Sequence, residues 1–236
     1  MDSNPARASF IPREGFIFVA IDYDQMEYRL MADYAGEMEM IEAINGGEDP
    51  HGFVARMLNI LRKQAKAVNF GLLYGMGIQS LADMLKQTFT EAKNLKMRYF
   101  LRLPKVENLF NARKRIAISR GFIFNKYGRR VYLDDPKWAY KLVNYLIQGT
   151  GADVIRHAMV KIHKRMKEVK SGMVAQIHDE LSFEIHKSEL HIIPELIAIM
   201  ENGYQPFNGM KLTAGASWSN KSWAVRDMKD GIPTVS

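Results

Sequence analysis

"AQIHDELSFEI", residues 175–185, alternates apolar and polar side chains at strand period on both sides of a charged centre. The pattern predicts a β-hairpin whose tight turn carries His178, Asp179 and Glu180. Turn chemistry alone can explain an Asp there, because Asp tolerates turn geometry and bonds its own backbone. An imidazole beside two acids at a hairpin apex can also be a functional cluster, so this stretch by itself leaves both interpretations open.

The rest of the chain supplies further strands and a long helical middle. "GFIFVAID", residues 15–22, predicts a buried strand that ends in an acid, and a helix follows it up to Gly36. Residues 53–74 have one continuous helical pattern. The remaining predicted elements are two or three basic helices at 78–118, a hairpin at 121–133, helices at 137–168 and 189–202, and a strand at 211–218. Strands near both ends enclose the helices, so we expect an α+β fold with one sheet and an inserted helical lobe.

Composition excludes several classes of protein. The chain has 236 residues, 47% of them hydrophobic, which is enough for one large domain or two lobes. It has no cysteine, so disulfides and thiolate metal sites are excluded. No apolar run approaches the roughly 18 residues that cross a bilayer. The first ten residues lack the apolar core of a signal peptide. We therefore expect no membrane partner and a cytoplasmic location.

Positive charge is concentrated in one segment. The net charge of the chain is +7, and residues 91–130 hold twelve Lys or Arg against two Glu, a local net charge of +10. Such a run is usually the solvated face of helices. Aromatic residues among the charges, such as Tyr99, Phe100 and Phe110, slightly favour a surface that tracks nucleic-acid phosphates.

Two acids occupy special backbone positions far apart in the chain. Asp22 ends a predicted strand, where its alternative role is to cap the next helix. Asp179 lies in the predicted hairpin turn. If both strands share a sheet, their carboxylates can meet at one edge. Two close carboxylates repel each other unless a cation lies between them, and oxygen-only ligation suits Mg²⁺. Two such ions about 3.5–4 Å apart can clamp both oxygens of a phosphoryl displacement.

"RKQAKAVNFGLLYG", residues 62–75, places a functional stripe on a helix. Arg62, Lys66, Phe70 and Tyr74 recur every four residues, and at about 100° per residue they fall within a stripe of roughly 120°. A stripe that faced the core would be apolar throughout. Cations followed by rings instead fit a nucleotide that lies along the helix, with its phosphates at the cationic end and its base at the aromatic end.

These stretches together resemble the family A DNA polymerases, the class of bacterial DNA polymerase I and many phage replicases. "DYDQMEYR" at 22–29 is similar to that family's DYSQIELR motif, and residues 62–75 are similar to its RxxxKxxxFGxxYG motif. "QIHDELSFE" at 176–184 is similar to its third motif, with HDE at the turn. Shorter matches occur in the family's order: "FIPREG", "DPH", "YGRR", "NYLIQGTGAD" and "GASW". The ordered set covers nearly the whole chain.

The resemblance implies a palm, residues 1–50 and 126–236, with an antiparallel sheet, and helical fingers, residues 51–125. The implied function is template-directed addition of dNTPs to a primer 3′ end by two-metal phosphoryl transfer, with release of pyrophosphate. Two Mg²⁺ ions are the implied cofactors, and primer–template DNA and dNTPs are the implied partners. The family's thumb and any exonuclease domain have no counterpart in the sequence. Asp24 replaces the motif's Ser and Tyr28 its Leu, and the interval between His51 and Arg62 is shorter than usual.

The resemblance also implies a role for individual residues. The catalytic residues are Asp22, Asp179 and Lys66. The metal ligands are Asp22, Asp179 and the carbonyl of Tyr23. The nucleotide-binding residues are Gln25, Glu27, His51, Arg62, Lys66, Phe70 and Tyr74, with Glu27 placed to exclude a 2′-hydroxyl. The DNA-binding residues are Arg29, Asn144, Gln148, His178 and Glu180.

Three other functions remain open at the level of sequence. A catalytically idle fragment could bind nucleic acid without extending it. A single-subunit RNA polymerase shares the expected architecture, although Glu27 in its motif favours deoxynucleotides. A metal-dependent nuclease could use the same acids but would not need the stripe at residues 62–74.

Overall fold

The computed structural model of the chain describes residues 5–224 and 228–229. The chain forms two compact units. The first, called the sheet unit here, comprises residues 1–26, 152–205 and 212–236, and the second, the helical unit, comprises residues 27–151 and 206–211. These divisions fall at other points than the expected palm and fingers boundaries, and the names palm and fingers stay predictions for this chain.

Both units are built from short, regular elements. The strands are β1 (Phe16–Tyr23), β2 (Phe122–Phe124), β3 (Arg130–Tyr132), β4 (Gly172–Ile177), β5 (Glu180–His186), β6 (Ala214–Ser219) and β7 (Met228–Lys229). The α-helices are α1 (Pro5–Ala8), α2 (Met26–Ala35), α3 (Met38–Asn45), α4 (Pro50–Leu58), α5 (Arg62–Leu73), α6 (Ile78–Leu85), α7 (Phe89–Arg102), α8 (Pro104–Arg120), α9 (Leu142–Arg165) and α10 (Ile193–Glu201). Short 3₁₀ turns cover Pro136–Lys141, Met166–Glu168 and Lys187–Ile192.

The sheet unit has β1 at its centre. Its strand order is β4-β5-β1-β6-β7, and the neighbouring strands pair in antiparallel fashion. β1 is apolar on both faces, and Val19 and Ile21 are fully buried, as expected of a central strand. Strands from both ends of the chain therefore share one sheet, which confirms the expected α+β fold.

The hairpin predicted at residues 175–185 is present. β4 and β5 pair up to Ile177 and Glu180, and His178 and Asp179 form the turn between them. His178 has φ +54°, in the left-handed region that tight hairpin turns require. Glu180 is the first residue of β5, so its expected position in the turn is corrected to the strand that follows.

In the helical unit, the prediction of a single helix over residues 53–74 is wrong. The chain forms α4 and α5 there, and Asn59 ends α4 with φ 53° and ψ 58°. Asn adopts this left-handed conformation more readily than most residues, because its short polar side chain can bond locally. Asp49 caps the start of α4, since its carboxylate accepts the backbone N–H of Gly52 at 2.7 Å, and Pro50 is the first helical residue.

Residues 78–118, predicted to form two or three basic helices, form α6, α7 and α8, and most of the Lys and Arg residues lie in α7 and α8. A capping box formed by Thr88 and Glu91 begins α7, and Pro104 begins α8. Buried Asp33 of α2 fixes residues 206–211 in the same unit, because its carboxylate accepts the backbone N–H groups of Phe207 and Asn208, both at 2.8 Å. Among the described residues, no helix combines the length and apolar character that crossing a membrane requires.

Candidate functional site

The sheet unit brings two acids from distant parts of the sequence together. Asp22 lies near the end of β1, opposite Glu180 in the register of the sheet. The next residue, Tyr23, donates its backbone N–H to the carbonyl of Asp179 at 3.4 Å. A hydrogen bond joins the Asp22 and Asp179 carboxyl groups. Asp22 and Asp179 are 157 residues apart in the chain. That they meet at one edge of the sheet was expected from the sequence.

The electrostatics of the acid pair suit a cation. Burial raises the pKa of Asp179, and the hydrogen bond from Asp22 and the nearby His178 offset this only in part. Ionising both carboxyl groups here is costly, and a bound cation would remove that cost. The described residues contain no cluster of three or more acid, His or Cys side chains that could hold a metal. The two carboxylates offer oxygen donors, which are the kind of ligand that Mg²⁺ prefers.

The remaining predicted residues of the sheet unit differ in exposure. His178 is exposed, and its carbonyl accepts a hydrogen bond from the side chain of Gln176 at 2.7 Å. Glu180 is 5% exposed, and its carboxylate accepts from the indole N–H of Trp223 at 3.1 Å. Gln25 has φ +48° and lies in the turn between β1 and α2. The buried hydroxyl of Tyr23 donates to the carbonyl of Met200 at 2.7 Å.

In the helical unit, α5 presents the predicted stripe to solvent. Arg62, Lys66 and Phe70 are exposed, and the opposite face of the helix buries Ala65, Val68 and Leu72. Tyr74 comes directly after the last helical residue. Its ring stacks on that of Phe70 with centroids 6.2 Å apart and planes 12° apart, and the Lys66 ammonium lies 5.8 Å from the Phe70 centroid. The cationic and aromatic ends are therefore arranged as the sequence predicts.

Two of the predicted phosphate-binding residues have protein partners. The Arg62 guanidinium makes two parallel hydrogen bonds to the Asp49 carboxylate, at 2.8 and 2.9 Å. His51 is 4% exposed, and its ring lies 5.5 Å from that of Phe70. Burial lowers the pKa of His51, the positive charges of Arg62 and Lys66 lower it further, and Asp49 opposes them. The imidazole is therefore neutral at pH 7.

Glu27 and Tyr74 are in direct contact. The Tyr74 hydroxyl donates to the Glu27 carboxylate at 2.9 Å. This contact places the expected sugar-selecting acid next to the ring expected to shape the nucleotide slot.

The predicted DNA-binding residues of the helical unit are less uniform. Arg29 is 7% exposed, and its guanidinium donates to the carbonyl of Lys211 at 3.0 Å. Asn144 is 8% exposed, and its Oδ1 is buried with no hydrogen-bond partner among the described residues. Gln148 is exposed. DNA binding by these residues stays a prediction.

Three residues at the site, Asp49, Asn69 and Tyr28, had no assigned role in the sequence analysis. The Asp49 carboxylate caps α4 and binds the Arg62 guanidinium. Asn69 is 1% exposed and accepts from the Tyr28 hydroxyl at 3.1 Å. For Asn69, the sequence offered one signal, an amide within the apolar face of α5. A polar side chain in a core needs a hydrogen-bond partner.

An antiparallel sheet with two adjoining acids, in a chain whose helical unit carries this stripe, indicates a polymerase of nucleic acids. The family model of DNA polymerase family A matches residues 2–224. The chain belongs to DNA polymerase family A.

Named relatives agree with that assignment. The chain is 33% identical over 218 residues to DNA polymerase I, thermostable, of Thermus aquaticus, which is 85% of this chain and 26% of the relative. It is 31% identical over 229 residues to DNA polymerase I of Rhizobium leguminosarum, which is 87% of this chain and 22% of the relative. The chain thus spans about a quarter of the length of these curated relatives.

A solved structure has the same fold. It is the POL domain of Pol1 from M. smegmatis, in complex with DNA primer-template and dNTP. Its TM-score to this chain is 0.86 at 30% sequence identity, and the match covers 95% of this chain and 44% of that one.

Proposed function

We propose that the chain is the catalytic core of a DNA polymerase, which adds dNTPs to a primer 3′ end under the direction of a template and releases pyrophosphate. The observation that carries the proposal is the meeting of the Asp22 and Asp179 carboxyl groups at one edge of the sheet. When both are ionised, two adjoining carboxylates repel each other, and a cation between them would remove that repulsion. Positioning and electrostatic stabilisation are what phosphoryl transfer demands of a protein.

The two acids would hold a pair of Mg²⁺ ions, with the carbonyl of Tyr23 as a further ligand. When bound, such a pair activates the attacking primer hydroxyl and stabilises the leaving oxygen. The role of the chain here is to fix the two carboxylates. β1 and the β4–β5 hairpin are both anchored in the same antiparallel sheet, so the carboxylates are held without large rearrangement.

The stripe on α5 would bind the incoming nucleotide. Arg62 and Lys66 would hold the triphosphate together with His51, and Lys66 would neutralise charge as pyrophosphate leaves. The Phe70 ring would pack against the sugar and base. Tyr74, stacked on Phe70, would shape the slot around the new base pair. These roles use cations and rings on the exposed face of one helix, as observed.

Sugar selection would fall to Glu27, with Gln25 also at the nucleotide. The Tyr74 hydroxyl fixes the Glu27 carboxylate at 2.9 Å, which gives the acid a defined position. A ribose 2′-hydroxyl at that position would meet a held carboxylate, and the resulting penalty would apply to the ribonucleotide alone.

DNA would contact both units. The M. smegmatis relative was solved with DNA primer-template and dNTP. The net charge of +10 over residues 91–130 gives α7, α8 and the β2–β3 hairpin the charge that phosphate contacts require. His178 and Glu180 would lie by the primer end, and the remaining contacts would come from Arg29, Asn144 and Gln148.

The test is primer extension by the 236-residue chain at enzyme concentrations above that of a labelled primer–template, with Mg²⁺. We expect stepwise extension that follows the template and ceases when Mg²⁺ is chelated. Binding of the duplex without extension would identify an idle binding fragment. Preference for rNTPs would identify an RNA polymerase, and shortening of the primer would identify a nuclease.

A further inference from the structure

A continuous set of buried hydrogen bonds runs through the helical unit and ends at His51. The Tyr99 and Tyr28 hydroxyls lie 3.2 Å apart, and Tyr28 donates to Oδ1 of Asn69 at 3.1 Å. The amide Nδ2 of Asn69 lies 2.8 Å from Nδ1 of His51. All four side chains are at most 4% exposed, and they come from four different helices, α7, α2, α5 and α4.

The chemistry of the donors sets the direction of every bond. An amide nitrogen can only donate, so Nδ1 of His51 accepts from Asn69. A neutral imidazole that accepts at Nδ1 carries its proton on Nε2. Because Tyr28 donates its single proton to Asn69, its oxygen accepts from Tyr99. The Tyr28 hydroxyl thereby holds the Asn69 amide with its nitrogen toward His51.

The charges around His51 act together with these bonds. Asp49 at the start of its own helix raises the His51 pKa, and Arg62 and Lys66 of α5 lower it. α2 and α7 contribute Tyr28 and Tyr99, whose phenol pKa values burial raises, so both stay neutral. A neutral ring with a fixed tautomer is therefore compatible with each of these groups.

We propose that the Tyr28 hydroxyl, acting through Asn69, is a positioning group that fixes His51 as the Nε2–H tautomer and so makes Nε2–H the donor offered to a nucleotide triphosphate. The ligand role of His51 rests on the proposed function, and the tautomer does not. The DYSQIELR motif has an apolar Leu at the position of Tyr28, so the hydroxyl is a feature of this chain rather than of that pattern. The Tyr28 hydroxyl gives the buried Asn69 amide a hydrogen-bond partner, and without one the burial of that amide would cost free energy.

The tautomer can be measured without any enzymatic assay. The full chain is labelled with ¹⁵N-histidine, and the His51 signals are assigned by their loss in His51→Gln. In the unsubstituted chain at pH 7, we expect Nδ1 to resonate as an unprotonated nitrogen and Nε2 as a protonated one. A protonated Nδ1 would overturn the proposal, and this outcome does not depend on whether Tyr28→Phe folds.

Tyr28→Phe tests the role of the hydroxyl with the ring retained. The Asn69 amide can then turn its oxygen toward His51, which favours a proton on Nδ1. We expect loss of the single-tautomer pattern and a rise in the His51 pKa relative to the unsubstituted chain. Tyr99→Phe is the matched control, since it removes a similar buried hydroxyl and leaves the Tyr28–Asn69–His51 bonds intact. A Tyr28→Phe spectrum and titration identical to those of Tyr99→Phe would overturn the proposal.

The kinetics of nucleotide addition then test whether the His51 tautomer affects dNTP binding. If only a fraction of molecules carries the binding-competent tautomer, the apparent affinity falls by that fraction. We expect Tyr28→Phe to raise the KM for dNTP about two- to fivefold, with kcat nearly unchanged, and Tyr99→Phe to leave KM unaltered. An altered tautomer with an unchanged KM would reject the ligand role of His51. Absence of extension by the unsubstituted chain would instead reject the proposed function and leave the tautomer result standing.

Discussion

The Asp49 carboxylate makes two separate contributions to stability, and two substitutions at this position can distinguish them. It caps α4 through the N–H of Gly52 at 2.7 Å and forms the double hydrogen bond with Arg62. Replacing an Asp cap by Ala typically costs about 1 kcal/mol, with a range of roughly 0.5–2, whereas Asn caps about as well as Asp. An exposed ion pair contributes about 0–1 kcal/mol. The Arg62 and Asp49 side chains are 60% and 34% exposed, so the lower part of that range applies.

These magnitudes predict a clear order of stabilities. Asp49→Ala loses the cap, which costs about 0.5–2 kcal/mol, together with the ion pair, which solvent screens. For a chain of this size, loss of the cap corresponds to a fall in Tm of roughly 1–8 °C. Asp49→Asn keeps the cap and loses only the ion pair, so its Tm should fall by at most about 2 °C, and salt should remove that difference.

Thermal unfolding followed by circular dichroism, at low salt and at 0.5 M NaCl, is the assay. Glu48→Gln is the control, because Glu48 makes a similar double hydrogen bond to Arg56 at 2.9 Å and its side chain caps no helix. It should behave like Asp49→Asn. If Asp49→Asn were as destabilised as Asp49→Ala at both salt concentrations, the capping argument would be refuted.

Three further predictions concern substrate and DNA binding. Phe70→Tyr should accept dideoxynucleotides much more readily than the unsubstituted chain, since family members with Tyr there admit chain terminators; equal acceptance would reject the assigned position of Phe70. Glu27→Ala should lower the dNTP-over-rNTP ratio of kcat/KM, about tenfold or more if the lost penalty is near 1.4 kcal/mol, and an unchanged ratio would remove Glu27 from the sugar site. Duplex affinity should fall steeply with salt, with a slope of about −0.9 for each phosphate contacted by residues 91–130, and a flat dependence would make that segment an ordinary solvated face.

Much of the sheet unit could be predicted from sequence because its signals are local and strong. β1 is an uninterrupted apolar run, and the β4–β5 hairpin alternates at strand period around a turn. The pairing of strands from both ends of the chain followed from the enclosed helical middle. The meeting of Asp22 and Asp179 then required only that both strands share one sheet.

The helical unit was harder, for physical reasons. The incorrect prediction there was a single helix that continued through Asn59. The apolar periodicity runs through residues 53–74, and one left-handed residue does not interrupt that pattern. The contacts of Asp49 and the bonds from Tyr28 to His51 join side chains from different helices. Such contacts depend on packing, which periodicity does not encode.

The central claim is that the Asp22 and Asp179 carboxylates carry out metal-dependent nucleotide addition. The most direct measurement is single-turnover incorporation of one dNTP by Asp179→Asn, with DNA affinity measured on the same samples. Asp24→Asn is the matched control, because Asp24 is an exposed acid only two residues from Asp22. The Asp24 carboxylate accepts a hydrogen bond from the Thr213 hydroxyl at 2.8 Å. We expect Asp179→Asn to slow incorporation at least about a hundredfold, with DNA affinity retained and Asp24→Asn close to the unsubstituted rate. Incorporation by Asp179→Asn at the rate of Asp24→Asn would contradict a catalytic role of Asp179.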